Sequence, residues 1–510
     1  MASPSTSMDA TDSGNRPTIS LDIFAALVSI VSYWCSLQRY GVYDYFDGIR
    51  YLASGVALLV DGAASPIPIA YQSNAVVADF VAQQSLNYPS IPFQLWAAVT
   101  TGLGSLPLVA TSIAAVIFYI IHNIAFARVA RQFLPLKLTV AALAMLCFAP
   151  SIFVRTMTRP LPDSFLCMTF TLGLCLALSR RPISAGVVAG LGSVVRFQGL
   201  LFAWSLAFLN RTPRSTIATL VAFAAVVGVT SVLLSLVSAG LHVEKSASNF
   251  GFYLNLMSPE LAAAAVRKIP ADLMMTVSAL LAVREFVVLL LSVPVIGLAI
   301  FLSSNRLEKS TLTFFLLVSL YIAFFSYHVM TVTLGSGHDA RYIVYTMPLL
   351  VLADFVSLSI IARRLNILRP VALVALGVMA LYGLSVVYYA ARMDPLLSRD
   401  YLPESALSFI GPDKTIALAA SEEAASELYI VTKARHLMWL PEDPAQFTAG
   451  INPTVDYLLV GGYWNSPYDA KWSAVRKLDA PIRDAGGNEF RKVAKTAYYD
   501  IYARSAGATP

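Results

Sequence analysis

Residues 161–210 read LPDSFLCMTFTLGLCLALSRRPISAGVVAGLGSVVRFQGLLFAWSLAFLN. Three apolar runs, at 161–179, 182–195 and 198–210, are separated first by two arginines and then by the polar break Arg196-Phe197-Gln198. Apolar runs bounded by charge are typical of helices that enter a bilayer, although the second and third runs are short. The stretch therefore predicts membrane-spanning helices with a lone arginine at one membrane boundary.

The composition extends this prediction to the whole chain. Of its 510 residues, 57% are hydrophobic and only 13% are charged. Soluble domains carry about 25% charged residues, so a polytopic α-helical membrane protein is predicted. About eleven segments approach the apolar length that a transmembrane helix needs. They lie near 20–38, 107–127, 137–154, 161–179, 182–195, 198–210, 215–240, 285–304, 310–333, 342–362 and 370–391.

The lysines and arginines of the short loops predict the orientation of the chain. Most of them fall in alternate loops, which the positive-inside rule assigns to the cytosol. These residues are Arg128, Arg131 and Lys137; Arg180 and Arg181; Arg211 and Arg214; Arg306 and Lys309; and Arg363, Arg364 and Arg369. The N-terminus is therefore predicted to be cytosolic. The net charge of +6 reflects this topology and does not indicate a nucleic-acid partner.

The chain divides into three predicted regions. Residues 1–17 are rich in Ser, Thr and Asp and form a disordered cytosolic tail. Residues 18–393 form the membrane module, with long outer loops at 39–106 and 241–284, the second containing one or two helices along the membrane surface. Residues 394–510 alternate strand-like and helical runs, which predicts a soluble α/β domain on the outer face. The strand-like runs are Thr415–Ala420, His436–Leu440, Val455–Val460 and Tyr498–Tyr502, and the helical runs are Glu422–Thr432 and Ala470–Leu478.

Two aspartates follow the first span, in YDYFDGIRYLASG (43–55). Asp44 and Asp47 are three residues apart and would share one face of a helix. A carboxylate at the boundary between water and lipid is suited to act as a general base. The alternative is an ordinary helix start, because the helix dipole favours acids there. The two acids could also bind Mg²⁺ or Mn²⁺, but their spacing is not specific, and no metal or other cofactor is assigned.

A second polar group lies in VRTMTRPLPDSF (154–165), between the third and fourth spans. Arg155 and Arg159 are on the predicted outer side, where the positive-inside rule disfavours them. A guanidinium binds phosphate oxygens bidentately, so a phosphate ligand would account for both arginines. The alternative is snorkelling of the side chains to lipid headgroups. Asp163 is expected to cap the fourth span.

Two further outer segments complete the polar set. Arg196 interrupts an apolar pair of spans and needs either an anionic ligand or a structural ion pair with Asp163. The stretch SGHDARYIVYTMP (336–348) places His338, Asp339 and Arg341 where the tenth span begins. A single histidine would more often be structural, but this cluster lies on the same predicted side as the other outer arginines. The combined pattern indicates a polar site at the outer membrane edge.

These motifs, in this order, resemble the GT-C superfamily of membrane glycosyltransferases, especially the protein O-mannosyltransferase and aminoarabinose-transferase-like branch. FDGIRY (46–51) is similar to the family's Asp-Glu-x-x-Tyr motif, with Asp47 in the first acidic place and Tyr51 in the tyrosine place. Gly48 replaces the second acid. YPSIP (88–92), TRPLPDSF (158–165) and GHDARY (337–342) are similar to further family segments. The likeness covers about residues 20–210 and 335–350.

The resemblance implies a GT-C-like fold and a polyprenyl-phosphate-linked sugar donor. Its acceptor would be a hydroxyl of a glycan, lipid or protein, and the surrounding membrane lipids would be further partners. By this resemblance Asp47 is the general base, with Asp44 as a second acid. The donor phosphate would be held by Arg155, Arg159, Arg196, His338 and Arg341, and the acceptor or sugar by Tyr51, Asp163 and Asp339.

The sequence is also compatible with two other classes of function. A lipid or solute transporter would also gather charges beside a cavity, although it should show internal repeats or broken helices. A non-catalytic envelope scaffold would use the outer domain for binding. The alanine-rich spans and the short inner tail favour a bacterial inner membrane with the site facing the periplasm. In a eukaryote, the equivalent location is the endoplasmic-reticulum membrane with a lumenal site.

Overall fold

The structure is a computed structural model, and it describes two parts of the chain. In the helical part these are residues 16–40, 107–149, 151–159, 162–196, 198–209, 212–240, 259–282, 293–334 and 344–393. In the C-terminal part they are residues 407, 409–411, 413–419, 428, 432, 436–440, 455–461, 472, 480–484, 486–495 and 499–505.

The described residues up to 393 form thirteen α-helices. The first seven are α1 (Arg16–Tyr40), α2 (Pro107–Arg131), α3 (Leu136–Phe148), α4 (Ser151–Met157), α5 (Pro162–Leu178), α6 (Pro182–Val195) and α7 (Gly199–Phe208). The other six are α8 (Pro213–Gly240), α9 (Pro259–Ala282), α10 (Val293–Leu302), α11 (Arg306–Leu334), α12 (Met347–Arg364) and α13 (Leu368–Arg392).

Proline sets the start of several of these helices. Proline has a fixed φ and no amide hydrogen, and the first helical turn has no intrahelical acceptor for that hydrogen. The helices that begin at a proline are α2, α5, α6, α8 and α9. A proline also separates α3 from α4, where the sequence predicted one span at 137–154. The structure has two helices in this range, and Pro150, which has no amide hydrogen to donate, follows the end of α3 by two residues in the sequence.

Six helices are long and apolar enough to cross a membrane, namely those that contain Ile19–Arg39, Ile113–Arg131, Pro213–Thr230, Glu308–Ser326, Val344–Arg364 and Leu368–Arg392. Four shorter apolar helices, α3, α5, α6 and α10, accompany them. The chain is therefore an integral membrane protein, as its composition predicted. The count of about eleven spans remains a prediction, because only the described residues contribute to these helices.

α12 packs against α3, α10, α11 and α13 and buries most of its side chains, while α8 and α13 expose most of theirs. Small residues allow the closest approaches. A Cβ atom on Gly186 of α6 would lie 2.2 Å from the carbonyl oxygen of Thr219 in α8. A Cβ atom on Gly192 would lie 2.4 Å from Oγ1 of Thr169 in α5. Glycine at these positions lets α6 pack directly against both neighbours. All four cysteines, Cys35, Cys147, Cys167 and Cys175, are free and buried in the helical part.

The described C-terminal residues form a six-stranded sheet. Its strands are β1 (Thr415–Ala419), β2 (His436–Trp439), β3 (Tyr457–Gly461), β4 (Ile482–Arg483), β5 (Glu489–Lys495) and β6 (Tyr499–Arg504). Their order is β2-β1-β3-β6-β5-β4, with β2, β1 and β3 parallel and the others antiparallel.

This sheet has its own apolar core, which includes Leu458, Trp472 and Phe490. The four strand-like runs of the sequence coincide with β1, β2, β3 and β6. The sequence analysis did not predict β4 and β5. Most of the two predicted helical runs lies outside the described residues, so the full α/β character of residues 394–510 remains a prediction.

Candidate functional site

Asp163 and Arg196 form a buried ion pair at one end of the helical part. Asp163 lies in the first turn of α5 and its side chain is 0% exposed, while the Arg196 side chain is 9% exposed. Arg196 follows the last residue of α6 with extended backbone angles (φ −148°, ψ 141°), which end the helix. Its Nη2 lies 3.1 Å from Oδ2 of Asp163. The ion pair that the sequence offered as the alternative to an anionic ligand is therefore present.

Tyr345 provides the second contact of the same carboxylate. Its hydroxyl donates a hydrogen bond to Oδ1 of Asp163, from a short 3₁₀ turn that precedes α12. The Tyr345 ring is fully buried and packs edge-on against Phe202 of α7, with ring centroids 5.7 Å apart. Phe202 in turn packs on Phe170 of α5 at 4.2 Å. We call Asp163, Arg196 and Tyr345 the Asp163 cluster, and it joins α5, α6, α7 and α12.

Burial makes the Asp163 cluster energetically consequential. A buried carboxylate is stable only when it is paired and hydrogen-bonded, and removing one partner of a buried ion pair costs about 3–5 kcal/mol. Asp163 was expected to cap α5 and to contact the sugar or acceptor. Both roles remain predictions; in the structure its carboxylate contacts the side chains of Arg196 and Tyr345, so its geometry suits the positioning of Arg196.

The two arginines of the preceding segment differ in exposure. Arg155 lies in α4 and is half-buried, whereas Arg159, just before α5, is 1% exposed. A side chain that snorkels keeps its guanidinium in the headgroup region, so snorkelling is excluded for Arg159. The neighbouring Thr158 is also buried, and its Oγ1 lies 2.7 Å from Oγ of Ser36 in α1. The first helix is therefore packed against the segment that carries these arginines.

The structure contains a second buried ionisable pair that the sequence analysis missed. Nδ1 of His328, in α11, lies 2.7 Å from Oδ2 of Asp272, in α9. The His328 ring stacks on Phe324, with centroids 5.4 Å apart and an angle of 9° between the planes. The signal in the sequence was a histidine inside the apolar run YIAFFSYHVM (321–330). Its partner lies in the predicted outer loop 241–284, which does contain a helix.

The other sequence-predicted site residues fall outside the described part of the chain. They are Asp44, Asp47, Tyr51, His338, Asp339 and Arg341. Their roles remain predictions. Tyr345, which the sequence analysis quoted but did not single out, follows Arg341 by four residues. Within the described ranges, no three His, Cys, Asp or Glu side chains come together as a metal site.

Chemically, the described site holds a guanidinium at the end of a set of apolar helices. A carboxylate and a phenol from two other helices orient that guanidinium. Such an arrangement is suited to binding an anion at a fixed place, because the arginine loses little further conformational freedom on binding.

No protein-family model matches the chain, and no curated protein matches it. Solved structures do match. The ArnT structure from Cupriavidus metallidurans bound to undecaprenyl phosphate has a TM-score of 0.58 at 12% identity and covers 96% of this chain and 99% of that chain. The apo ArnT structure gives 0.55 at 12% identity, with coverages of 96% and 98%.

A more distant match is the oligosaccharyltransferase AglB from Archaeoglobus fulgidus, in complex with an inhibitory peptide and a dolichol phosphate. Its TM-score is 0.44 at 11% identity, over 97% of this chain and 75% of that chain, which is too low to support an argument. The ArnT matches, at 12% identity, show the fold. The chain therefore has the fold of the ArnT structures, which agrees with the fold that the sequence resemblance predicted.

Proposed function

We propose that this chain is a glycosyltransferase that moves a sugar from a polyprenyl-phosphate-linked donor to an acceptor hydroxyl, with inversion. The observation that carries the proposal is the buried Arg196, which pairs with Asp163 in a fold that matches ArnT over 96% of this chain; the Asp163 carboxylate also accepts a hydrogen bond from Tyr345. One of the ArnT structures is bound to undecaprenyl phosphate. A lipid phosphate is the anion that an arginine at the end of membrane helices is best placed to bind.

The reaction is a direct displacement at the anomeric carbon. Asp47 accepts the proton of the acceptor hydroxyl, and the acceptor oxygen forms a bond to that carbon. The bond from the anomeric carbon to the phosphate oxygen breaks, and its electron pair leaves with the phosphate. Asp44 stands nearby in sequence as a second acid, and Tyr51 and Asp339 contact the sugar or acceptor.

The cationic side chains stabilise the leaving phosphate. A unit charge pair at 4 Å is worth about 4 kcal/mol at an effective dielectric constant near 20, so each arginine in contact would speed the reaction substantially. The proposed phosphate ligands are Arg155, Arg159, Arg196, His338 and Arg341. Asp163 has a different role in this scheme. Because its carboxylate contacts Arg196 and Tyr345, it is a positioning residue that orients Arg196.

A divalent cation is not needed to balance charge in this scheme, because the arginines neutralise a monophosphate leaving group. Asp44 and Asp47 are the residues that would bind Mg²⁺ or Mn²⁺ if one takes part. Turnover in the presence of EDTA tests this point. Loss of turnover with EDTA and its recovery with Mn²⁺ would show that the metal-free scheme is wrong.

The proposed location follows from the predicted topology. The Asp163 cluster lies at the end of α5 opposite Arg180 and Arg181, which belong to a predicted cytosolic loop. We propose that this end faces the periplasm of a bacterial inner membrane, or the lumen of the endoplasmic reticulum in a eukaryote. The acceptor is a glycan, a lipid or a protein that reaches that face.

The decisive experiment measures sugar release from a panel of polyprenyl-phosphate sugars by the purified protein in lipid bilayers. Wild type is compared with Asp47→Asn, Asp44→Asn and the control Asp22→Asn, whose carboxylate pairs with Arg128 at the opposite end. We expect one donor to be consumed by wild type and by the control, and not by Asp47→Asn. Normal turnover by Asp47→Asn with loss in Asp44→Asn would move the base to Asp44.

Two outcomes would support the other classes of function. Translocation of the lipid donor without release of its sugar would support a transporter. A scaffold would tolerate Asp47→Asn and Arg196→Gln together, with an unchanged phenotype in cells. A glycosyltransferase would lose its product in both single variants.

A further inference from the structure

The break between α6 and α7 contains buried polar side chains whose hydrogen-bonding capacity is unused. Gln198 is 0% exposed, and neither its Nε2 nor its Oε1 has a hydrogen-bond partner among the described residues. Ser193, in the last turn of α6, is 1% exposed, and its Oγ likewise has no partner in the described part of the chain. Both residues lie within three positions of Arg196 in the sequence.

The backbone of the same break is well satisfied. The amide of Arg196 donates to the carbonyl oxygen of Gly192, and the amide of Gly199 donates to that of Arg196, both at 3.0 Å. The amide of Leu201 donates to the carbonyl oxygen of Gln198, also at 3.0 Å. These three hydrogen bonds satisfy backbone amide and carbonyl groups at the end of α6 and the start of α7. Within the described residues, the Gln198 and Ser193 side chains keep unused hydrogen-bonding capacity.

Gly199 places the start of α7 directly against Ser193. A Cβ atom on Gly199 would lie 2.4 Å from the amide nitrogen of Ser193 and 2.6 Å from its Oγ. The backbone next to Gln198 therefore lies directly against Ser193, with no room for a side chain between them. The Ser193 hydroxyl therefore lies beside Gly199, which is the first residue of α7 and follows Gln198 in the sequence.

A buried carboxamide without a partner destabilises a fold, and an apolar side chain of the same shape would be less costly. Native proteins pair almost all such groups, so an exception calls for an explanation in function or in bound solvent. Here the exception adjoins the arginine of the Asp163 cluster. That coincidence favours a ligand over a packing defect.

The donor and acceptor pattern defines the ligand. A carboxamide donates through its nitrogen and accepts through its oxygen, and a serine hydroxyl does both. A sugar hydroxyl also donates and accepts, so it matches both groups, whereas an anion offers acceptors only. Neither Gln198 nor Ser193 carries charge, so they do not favour a cationic amino group. Arg196, two residues from Gln198, supplies the positive charge that a phosphate requires.

We propose that Gln198 and Ser193 bind hydroxyl groups of the donor sugar, next to the phosphate that Arg196 holds. The ligand class is a polyprenyl-phosphate-linked neutral, hydroxyl-rich sugar. This assignment rests on the proposed glycosyltransferase function and narrows its donor.

The test compares undecaprenyl phosphate with conjugates in which a sugar is attached to that phosphate. Wild type and variants in lipid nanodiscs are titrated with undecaprenyl phosphate and with a panel of undecaprenyl-phosphate sugars that includes neutral hexoses and an aminopentose. The variants are Gln198→Met, which keeps the side-chain shape, and Ser193→Ala. The matched control is Ser357→Ala, which removes a buried hydroxyl of α12 that has no partner in the described ranges. Thermal unfolding of each variant reports its folding.

We expect wild type to bind one neutral-sugar conjugate more tightly than undecaprenyl phosphate. Gln198→Met should weaken binding of that conjugate about tenfold, the effect of one lost hydrogen bond, and leave binding of undecaprenyl phosphate unchanged. Its unfolding temperature should stay equal or rise, and Ser357→Ala should bind both ligands like wild type. Unchanged conjugate binding in Gln198→Met would overturn the inference, because the carboxamide would then be an internal polar group or a site for water.

Two further results separate this inference from the proposed function. A wild-type preference for the aminopentose conjugate would overturn the neutral-sugar assignment while leaving the glycosyltransferase proposal intact. The proposed function itself would be contradicted if wild-type protein binds undecaprenyl phosphate, but no attached sugar tightens that binding and no sugar is released.

Discussion

Arginine–carboxylate pairs occur at both ends of the helical part, and they differ in burial more than in distance. In the Asp163 cluster the two charged groups are 3.1 Å apart, with side chains 9% and 0% exposed. At the opposite end, Arg128 and Asp22 are 2.6 Å apart with exposures of 56% and 20%. The shorter contact is therefore the more exposed one. A short distance alone does not identify the pair on which stability or function depends.

The physical reason is the surrounding dielectric. Exposed pairs lose most of their Coulomb energy to solvent and contribute about 0–1 kcal/mol, whereas a buried charge that loses its partner destabilises the fold by several kcal/mol. One exposed pair also lies where helix dipoles favour it. Arg363 is in the last turn of α12 and its partner Glu308 is in the first turn of α11, at 2.7 Å. These contacts join helix ends at the predicted cytosolic face.

The largest effect is expected from Asp163→Asn. The substitution leaves the buried guanidinium of Arg196 without its carboxylate, so we expect a loss of about 3–5 kcal/mol in unfolding free energy. Donor turnover should fall with it, because Arg196 loses its orientation. Unfolding by denaturant in detergent micelles and sugar release in bilayers measure the two effects.

The double variant Asp163→Leu with Arg196→Met tests whether the instability of Asp163→Asn comes from the unpaired buried charge. Removing both charges should recover much of the stability that Asp163→Asn loses, because no unpaired charge remains buried. It should not recover turnover. Wild-type stability of Asp163→Asn alone would contradict the claim that this pair is energetically important.

Tyr345→Phe should have an intermediate effect. The variant keeps the ring packed on Phe202 and removes only the hydrogen bond to the Asp163 carboxylate. Hydrogen bonds to charged groups contribute about 1.5–3 kcal/mol, so a loss in this range is expected in the same unfolding experiment. A change below about 0.5 kcal/mol would show that Arg196 alone stabilises the carboxylate.

At the opposite end, Glu308→Gln should change little. Its contact with Arg363 is part-exposed, so we expect less than about 1 kcal/mol, decreasing further at high salt. Turnover should remain at the wild-type level. A loss as large as that of Asp163→Asn would show that the ion pairs at the two ends contribute equally to stability.

The smallest effect is expected in the C-terminal sheet, where Glu489 contacts Arg491 at 2.7 Å and Arg483 at 3.4 Å. The hydrogen bond from Arg491 holds the pKa of Glu489 below its ordinary value of 4.5. A lowered pKa in the folded state contributes stability that is present above the ordinary value and is lost as pH falls through the folded value.

Glu489→Gln should therefore leave the sheet slightly less sensitive to acid, without altering its stability above pH 7 by a measurable amount. Unfolding of the full chain between pH 7 and pH 3, followed by a probe in the sheet, measures this. A marked destabilisation of the variant at neutral pH would show that the pair matters more than its exposure suggests.

Much of the fold followed from local sequence patterns. The bounds predicted for α5, α6 and α7 agree with the structure to within two residues, because prolines and charged residues mark the helix ends. Strands β1, β2, β3 and β6 were predicted from their apolar runs. Strand β5 was missed because its sequence, EFRKVAK, has four charged residues in seven and no regular alternation of apolar and polar residues.

The site was predicted less completely. Asp163 and Arg196 were both named as site residues, and their ion pair was considered as an alternative. Tyr345 was not singled out, because a tyrosine near the start of a span has many uses and its partner lies 182 residues away. Asp272 and His328 were missed for the same reason, since neither residue indicates its partner in a single sequence.

Local sequence patterns established that this chain is a membrane protein, where several of its helices begin and end, and which residues carry charge beside apolar segments. These properties depend on short windows of sequence, because hydropathy, proline and loop charge act locally. The tertiary structure shows which charges meet, which are buried, and which polar groups, such as Gln198, keep unused hydrogen-bonding capacity. Those properties depend on the packing of distant helices, and burial, which sets the strength of each charge interaction, exists only after that packing has formed.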